Sequence, residues 1–311
     1  MPRSPEELRL CLRGLIGFGV TPFHEDFSIN ELGLRQNATT LAETCDAVVA
    51  LGNVGEIFSL SAAEQKLVGR VVASEVHARK PVLVGVGFCL PVARDLAQTA
   101  EGYGADAVLL LPPEVAQAND DGLFEYYRSI ASSINIGVVL FQTRTVNFST
   151  SLLRRLAEIP NIVALKDEHG DMEQAVRQIA AVGDRIEMLC GVGEILAPSY
   201  FALGVNAFTS GIVNFMPSTS LRILAQLREG RMQAAARVVQ EEVISIFDLR
   251  RKRPGYSTVI IKEALNLCGV NVGPVRPPLT ALPPADREEL ISLLERFGLL
   301  KAPQITADSS V

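Results

Sequence analysis

The chain has 311 residues, of which 48% are hydrophobic and 21% charged, and its formal net charge is −6. This length and composition are typical of a folded globular protein, with room for a barrel domain of about 250 residues. The negative charge excludes the nucleic-acid backbone as the main partner, and no apolar stretch approaches the ~18 residues of a membrane span.

The amino-terminal segment and the cysteines indicate the compartment. Glu6, Glu7 and Arg9 lie where a cleaved secretion signal would need an apolar run. The five cysteines (Cys11, Cys45, Cys89, Cys190 and Cys268) have no C-x-x-C spacing, and the three histidines lie far apart in the sequence. We therefore expect a cytoplasmic protein with reduced thiols and no local zinc motif.

A regular series of short, β-rich apolar runs is the strongest signal in the chain. The runs begin near Leu15, Ala47, Val82, Ala107, Ile136, Ile162, Ile186 and Ala207. The runs at 46–52, 81–87 and 106–111 are apolar throughout, which is typical of parallel strands buried on both faces. Segments with helical periodicity lie between them, for example after the capping-box sequence that begins at Ser61. Eight strand–helix units predict the α/β class and a (β/α)8 TIM barrel with a C-terminal helical extension.

The series of strands stops after residue 230, where we expect the eighth helix to end. Residues 1–230 should form the barrel and carry the active site. Residues 231–311 should contain helices at 232–251, 257–267 and 284–297, which are too few to fold alone and should pack on the barrel. A disordered tail is expected from about residue 304.

In barrels of this type the working residues follow the carboxyl ends of the strands, and Lys166 is a lysine at the end of an otherwise apolar strand. Either its stem lies along the core with the head in solvent, or its amine is desolvated and nucleophilic. The glycine-rich turn at 52–56 either binds an anion through backbone N–H groups or only makes a tight turn. His169 is favoured as a cap of the helix that starts at Asp171. The basic run 250–253 is favoured as a solvated helix end over an anion site.

Several segments together carry a resemblance to a known family. They are GNVGEIFSL (52–60), LKDEHGDME (165–173), TSGIVNF (209–215), RKRPGY (251–256) and GPVRPPLT (273–280). The chain resembles the Schiff-base-forming lyases that include dihydrodipicolinate synthase and N-acetylneuraminate lyase. It is most similar to their 5-dehydro-4-deoxyglucarate dehydratase branch.

The resemblance implies the chemistry and assembly of the family. Lys166 would form an imine with a small 2-oxo acid, and Asn53, Val54 and Gly55 would hold the carboxylate of that substrate. Thr209 and Ser210 would face its distal end, and Phe141, Thr143 and Gly191 stand at neighbouring strand ends of the substrate site. The resemblance implies no metal and no organic cofactor, and a homo-oligomer that is a dimer or a tetramer.

The chain departs from the family at the proton relay. Phe141 occupies the place of a tyrosine, and Val54 that of a threonine that connects to it. Phenylalanine has no acid or base group. Glu114 stands in a segment that carries, in the dihydrodipicolinate synthase branch, a tyrosine crossing from a neighbouring subunit. Thr143, Glu56, Glu114 or a bound water could replace the phenol.

Three interpretations follow from these departures. The first is a dehydratase, or a related lyase, that acts on a 2-oxo sugar acid. The second is another imine reaction, such as aldol cleavage or condensation with pyruvate. The third is a catalytically weakened protein that binds a 2-oxo acid through Lys166. The loss of two polar groups, at Phe141 and Val54, also predicts a preference for a less hydroxylated acid.

Overall fold

The computed structural model of the protein describes residues 2–114, 116 and 118–300. Its strands are β1 (Gly14–Phe18), β2 (Ala47–Ala50), β3 (Val82–Val86), β4 (Ala107–Leu110), β5 (Gly137–Gln142), β6 (Ile162–Asp167), β7 (Glu187–Cys190) and β8 (Ala207–Ser210). They form a closed parallel barrel in chain order, in which β8 pairs with β1. The predicted (β/α)8 TIM barrel is confirmed, and each predicted strand start lies within one residue of the observed start.

Helices surround the barrel and follow the strands in turn. After α1 (Pro5–Cys11) they are α2 (Glu31–Thr44), α3 (Ala62–Val76), α4 (Leu90–Gly102), α5 (Asp120–Ala131), α6 (Thr150–Leu156), α7 (Met172–Val182), α8 (Ala197–Ala202) and α9 (Pro217–Arg228). Short 3₁₀ turns lie at Ile57–Ser59, Gly183–Arg185 and Ile212–Asn214. The predicted capping box at Ser61 starts α3. Within the described ranges, no helix is long and apolar enough to cross a membrane.

The first helix, α1, closes the amino-terminal end of the barrel and was not predicted. Leu8 and Leu12 join the side chains that fill the barrel interior, and both are almost completely buried. Gly137 makes room for this contact, since a Cβ there would lie 2.5 Å from a methyl carbon of Leu8. The Ser4–Glu7 capping box is the sequence signal that could have revealed this helix.

The C-terminal extension consists of α10 (Met232–Val238), α11 (Ile244–Arg251), α12 (Tyr256–Leu267) and α13 (Pro284–Arg296). The single helix predicted at 232–251 is interrupted by a π-helical turn at Val239–Val243. Ile260 and Ile261 of α12 belong to the same apolar core as the side chains between the strands and the surrounding helices. The disordered tail predicted from about residue 304 lies outside the described residues.

A buried ion pair joins α12 to the turn after β2. The Nζ of Lys262 donates to Glu56 Oε1 at 2.9 Å and to the carbonyl oxygens of Thr21 and Pro274. The other oxygen of Glu56 accepts the backbone N–H of Arg276 at 2.9 Å. Burial lowers the pKa of Lys262 from its ordinary value, although the Glu56 carboxylate opposes this. In addition, the hydroxyl of Thr258 donates to the carbonyl oxygen of Asn53. The C-terminal extension therefore holds the strand-two turn in place.

Candidate active site

The amine of Lys166 lies at the carboxyl end of β6, and its side chain is only 5% exposed. Phe141 on β5 is its register partner. Because both side chains point into the barrel, the ring centroid of Phe141 lies 3.6 Å from Nζ, and that of Phe18 lies 5.1 Å away. Aromatic faces attract cations. The Lys166 amine is therefore held beside two aromatic side chains that suit an ammonium group.

Glu168 is the carboxylate that contacts this amine. Its Oε2 is hydrogen-bonded and ion-paired with the Nζ of Lys166, and the Glu168 side chain is 41% exposed. The backbone N–H of Glu168 donates to the carbonyl oxygen of Gln142 on β5 at 3.1 Å. The strand pairing thus continues one residue beyond β6. Since side chains alternate along a strand, residues 166 and 168 face the same side. Sequence reasoning missed Glu168, although this spacing of two was the available signal.

Lys166 lines a cavity of about 650 Å³ at the carboxyl end of the barrel. Five of the predicted substrate-binding residues line it: Asn53, Val54, Gly191, Thr209 and Ser210. They come from the ends of β2, β7 and β8, which the closed barrel brings to one mouth.

The other three predicted residues lie elsewhere. Phe141 contacts Lys166 but lines an adjoining, mostly apolar cavity of about 670 Å³. The carbonyl oxygen of Gly55 accepts the hydroxyl of Thr21 at 2.7 Å, and Gly55 is absent from the wall of the Lys166 cavity. Thr143 is also absent from this wall, and its hydroxyl donates to Glu114 at 2.9 Å. The placement of Gly55 and Thr143 at the substrate is therefore not supported by their positions.

Four arginines line the same cavity as Lys166: Arg144, Arg250, Arg251 and Arg253. Three of them belong to the run that was favoured as a solvated helix end. The helix α11 does end at Arg251, and Arg251 and Arg253 are exposed, but all three arginines also border the cavity. Lys252 pairs with Asp286 and Glu289 at 2.6 and 2.8 Å, and Arg253 lies 3.4 Å from Asp286. Arg144 and Arg251 make no hydrogen bond or ion pair with any residue that the structure describes. Their charges are available to a ligand.

Glu194 is a buried carboxyl group in the same wall. Its Oε1 accepts the hydroxyl of Ser220 at 2.6 Å, while its Oε2 has no hydrogen-bond partner among the described residues. Burial raises the pKa of Glu194, so the group keeps its proton to a higher pH than an ordinary glutamic acid. With five cationic side chains and only two carboxyl groups on its wall, the cavity is suited to an anionic ligand.

None of the side chains predicted to replace the missing phenol contacts Lys166. Both carboxylate oxygens of Glu56 are engaged, by Lys262 and by the backbone of Arg276. Glu114 accepts the hydroxyls of Thr143 and Thr145, and it lines the adjoining apolar cavity. Their positions therefore do not favour a role in proton transfer at the amine.

His169 does not cap α7. The cap is Asp171, whose side chain accepts the backbone N–H of Gln174. The ring of His169 contacts the side chain of the same Gln174, with 3.1 Å between Nδ1 and Oε1. The side chain of Asp171 is shorter and lies immediately before the helix, which makes it the better cap.

Among the residues that the structure describes, no group of three or more His, Cys, Asp or Glu side chains is arranged to hold a metal ion.

A parallel eight-stranded barrel, with a buried amine facing a cavity lined by cationic side chains, is the arrangement of barrel enzymes, whose active sites lie at the carboxyl ends of the strands. The family model of the dihydrodipicolinate synthetase family matches residues 11–297. The chain belongs to this family, whose members are lyases.

Relatives and solved structures agree with this assignment. A probable 5-dehydro-4-deoxyglucarate dehydratase of Bradyrhizobium sp. (strain ORS 278) is 34% identical over 310 residues, covering 98% of this chain and 99% of that protein. A protein of the same description from Pseudomonas putida (strain GB-1) is 33% identical, covering 95% and 99%. The crystal structure of dihydrodipicolinate synthase from Oceanobacillus iheyensis superposes with a TM-score of 0.90 at 30% identity, covering 95% of this chain and 99% of that one.

Proposed function

We propose that the protein is a Schiff-base-forming lyase in which Lys166 forms an imine with a 2-oxo acid. The buried amine of Lys166, enclosed by Phe141 and Phe18 and open to a cationic cavity, carries this proposal. An imine that gains a proton withdraws electrons from the adjacent carbon and so lowers the barrier for removing a proton there. A hydroxyl one carbon further along then leaves as water. Decarboxylation can use the same electron sink.

The reaction we favour is that of a 5-dehydro-4-deoxyglucarate dehydratase, the activity for which the relatives from Bradyrhizobium and Pseudomonas putida are named. This six-carbon acid has a 2-oxo acid at one end and a second carboxylate at the other. Lys166 and the strand-two residues Asn53 and Val54 would take the oxo-acid end. The unpaired guanidinium groups of Arg144 and Arg251 match the far carboxylate.

The same arginines weigh against pyruvate as the sole substrate, because pyruvate carries no second anion. They also qualify the predicted preference for a less hydroxylated acid. The cavity wall includes the apolar side chains of Phe18 and Val54 as well as Ser257 and the arginines. We therefore expect a substrate that is apolar next to the ketone and anionic at its far end.

Reduction of the imine tests the proposal. The protein is incubated with 5-dehydro-4-deoxyglucarate or with pyruvate, borohydride is added, and the modified residue is mapped by mass spectrometry. We expect an adduct on Lys166, formed at lower concentration with the diacid than with pyruvate, and none in Lys166→Met. An adduct without any release of water or carbon dioxide would favour the weakened binding protein. Equal trapping of both acids, with turnover only on pyruvate and an aldehyde, would favour a condensing enzyme.

The arginines provide a second test within the same site. Arg251→Gln should raise KM for the diacid about tenfold or more and leave trapping of pyruvate unchanged, since a lost charge-assisted hydrogen bond costs about 1.5–3 kcal/mol. Arg177→Gln is the matched control, because Arg177 is 68% exposed and, among the described residues, pairs only with Glu173. An unchanged KM in Arg251→Gln would remove this residue from the site.

We further propose that the protein forms a homo-oligomer, either a dimer or a tetramer. The adjoining apolar cavity is bordered by Phe58 and Phe88, whose side chains are 44% and 43% exposed. Exposed aromatic side chains around an apolar cavity are typical of contact surfaces. Light scattering coupled to size-exclusion chromatography measures the assembly directly, and a monomer at micromolar concentration would contradict the proposal.

A further inference from the structure

We propose that Glu168 is the acid–base group that moves protons at the imine of Lys166, in place of the absent phenol at position 141. This inference rests on the proposed imine chemistry and assigns its proton carrier. Glu168 is the only carboxyl group in the described part of the chain that contacts the Nζ of Lys166.

Among the described residues, the neighbouring carboxyl groups of Asp167 and Glu194 make no hydrogen bond or ion pair with this amine. Asp167 is buried on the opposite side of β6, where its Oδ1 accepts the side-chain amide of Gln142 at 2.8 Å and its Oδ2 accepts the hydroxyl of Tyr200 at 2.6 Å. Glu194 lines the cavity, where its Oε1 accepts the hydroxyl of Ser220 and its Oε2 has no partner among the described residues. Within the described ranges, the side chain of Glu168 has no hydrogen bond or ion pair other than the one with Lys166.

The exposure of the two partners suits a proton relay. The Lys166 side chain is 5% exposed, whereas that of Glu168 is 41% exposed. Glu168 therefore connects the buried amine to solvent. Phe141 faces the same amine at 3.6 Å but has no titratable group. The carboxylate thus supplies, from the end of the same strand, the function that the aromatic ring lacks.

The proton balance follows directly. The ammonium of Lys166 gives one proton to the Glu168 carboxylate, and the neutral amine adds to the ketone carbon. One of the two remaining protons on nitrogen passes to the ketone oxygen, which gives a neutral carbinolamine. Glu168 returns that proton to the departing hydroxyl, which leaves as water, and the protonated imine remains. The carboxylate then removes a proton from the adjacent carbon to give the enamine. Finally it passes this proton to the hydroxyl one carbon further along, which leaves as a second water.

The test replaces the carboxylate and follows the formation of the imine with pyruvate as the probe. The rate of Lys166 adduct formation with cyanoborohydride is measured from about pH 5 to pH 9, together with the exchange of pyruvate methyl protons for deuterium by NMR. Glu168→Gln should slow both processes ~10²–10⁴-fold, the usual loss on removing a general acid–base. In Glu168→Gln, the two rates should also lose the part of their pH dependence that comes from an acidic group. Glu173→Gln, an exposed carboxylate on α7, is the matched control and should retain the wild-type rates.

Restoring a phenol separates a catalytic role from a structural one. In the double variant Glu168→Gln/Phe141→Tyr, the new hydroxyl extends from a ring already packed on the amine. We expect both rates to be at least tenfold higher than in Glu168→Gln. If the wild type forms the Lys166 adduct while Glu168→Gln keeps its rates and pH profile, the assignment of Glu168 is overturned and the imine stands. If the wild type forms no adduct with any 2-oxo acid, the proposed function itself fails.

Discussion

Lys262 gives the sharpest stability prediction, because it forms a buried ion pair that crosses from the C-terminal extension to the barrel. The Lys262 side chain is 1% exposed and that of Glu56 is 0% exposed. Lys262→Met keeps most of the apolar stem and removes the three hydrogen bonds that Nζ donates. The carboxylate of Glu56 would retain only the backbone N–H of Arg276.

The expected loss follows from that burial. Breaking a buried pair by removing one partner costs about 3–5 kcal/mol, because a charge is left without compensation. The matched control is Lys66→Met. Lys66 is 38% exposed and pairs with Asp95 at 2.7 Å, and such surface pairs contribute about 0–1 kcal/mol. The double variant Glu56→Gln/Lys262→Met should lose less stability than the sum of the losses of Glu56→Gln and Lys262→Met, since it leaves no isolated charge.

Equilibrium urea unfolding, followed by circular dichroism, measures all four variants. We expect the midpoint for Lys262→Met to fall well below that of Lys66→Met at an unchanged m-value. Because the same turn presents Asn53 to the cavity, trapping of the 2-oxo acid by Lys262→Met should also require a higher concentration. A loss below about 1 kcal/mol, equal to that of the surface control, would refute the reasoning about burial.

Three further predictions concern single positions. Gly191→Ala should slow imine formation at least tenfold in the reduction assay, because its Cβ would lie 2.6 Å from the carbonyl oxygen of Asp167, next to Lys166; wild-type rates would contradict this. The hydrogen bond from Arg276 holds the pKa of Glu64 at about 2, below the ordinary 4.5. Its stabilisation is therefore complete above pH 4.5 and lost as the pH falls towards 2, and Glu64→Gln should flatten this part of the stability curve measured by urea unfolding. Tyr127→Phe should leave the free energy of unfolding unchanged or raise it by up to about 1 kcal/mol, since the buried hydroxyl has no partner among the described residues; a loss above 1 kcal/mol would count against it.

The barrel could be predicted from the sequence because its signals are local. Each strand is a short run buried on both faces, and each helix between strands repeats its apolar residues with the helical period. Lys166 could be found for the same reason, since a charged residue at the end of such a run is conspicuous. The helix α1 shows the limit of this approach. Its seven residues are too short for a clear periodic pattern, and only the capping box marked it.

The composition of the site depended on contacts between distant segments. Lys262 and Glu56 are 206 positions apart, and the arginines at 250–253 reach the mouth only because α11 and α12 pack on the barrel. A basic run at a helix end looks the same in the sequence whether it faces solvent or a cavity.

Glu168 lies between these two cases. The sequence places it two residues after Lys166, but only the strand pairing with Gln142 shows that the extended backbone continues and turns both side chains to one side. The sequence by itself therefore determined the barrel and the position of its amine, because both follow from short-range periodicity. The tertiary structure decided which charges surround the amine, because burial and distance across the barrel mouth depend on how the whole chain packs.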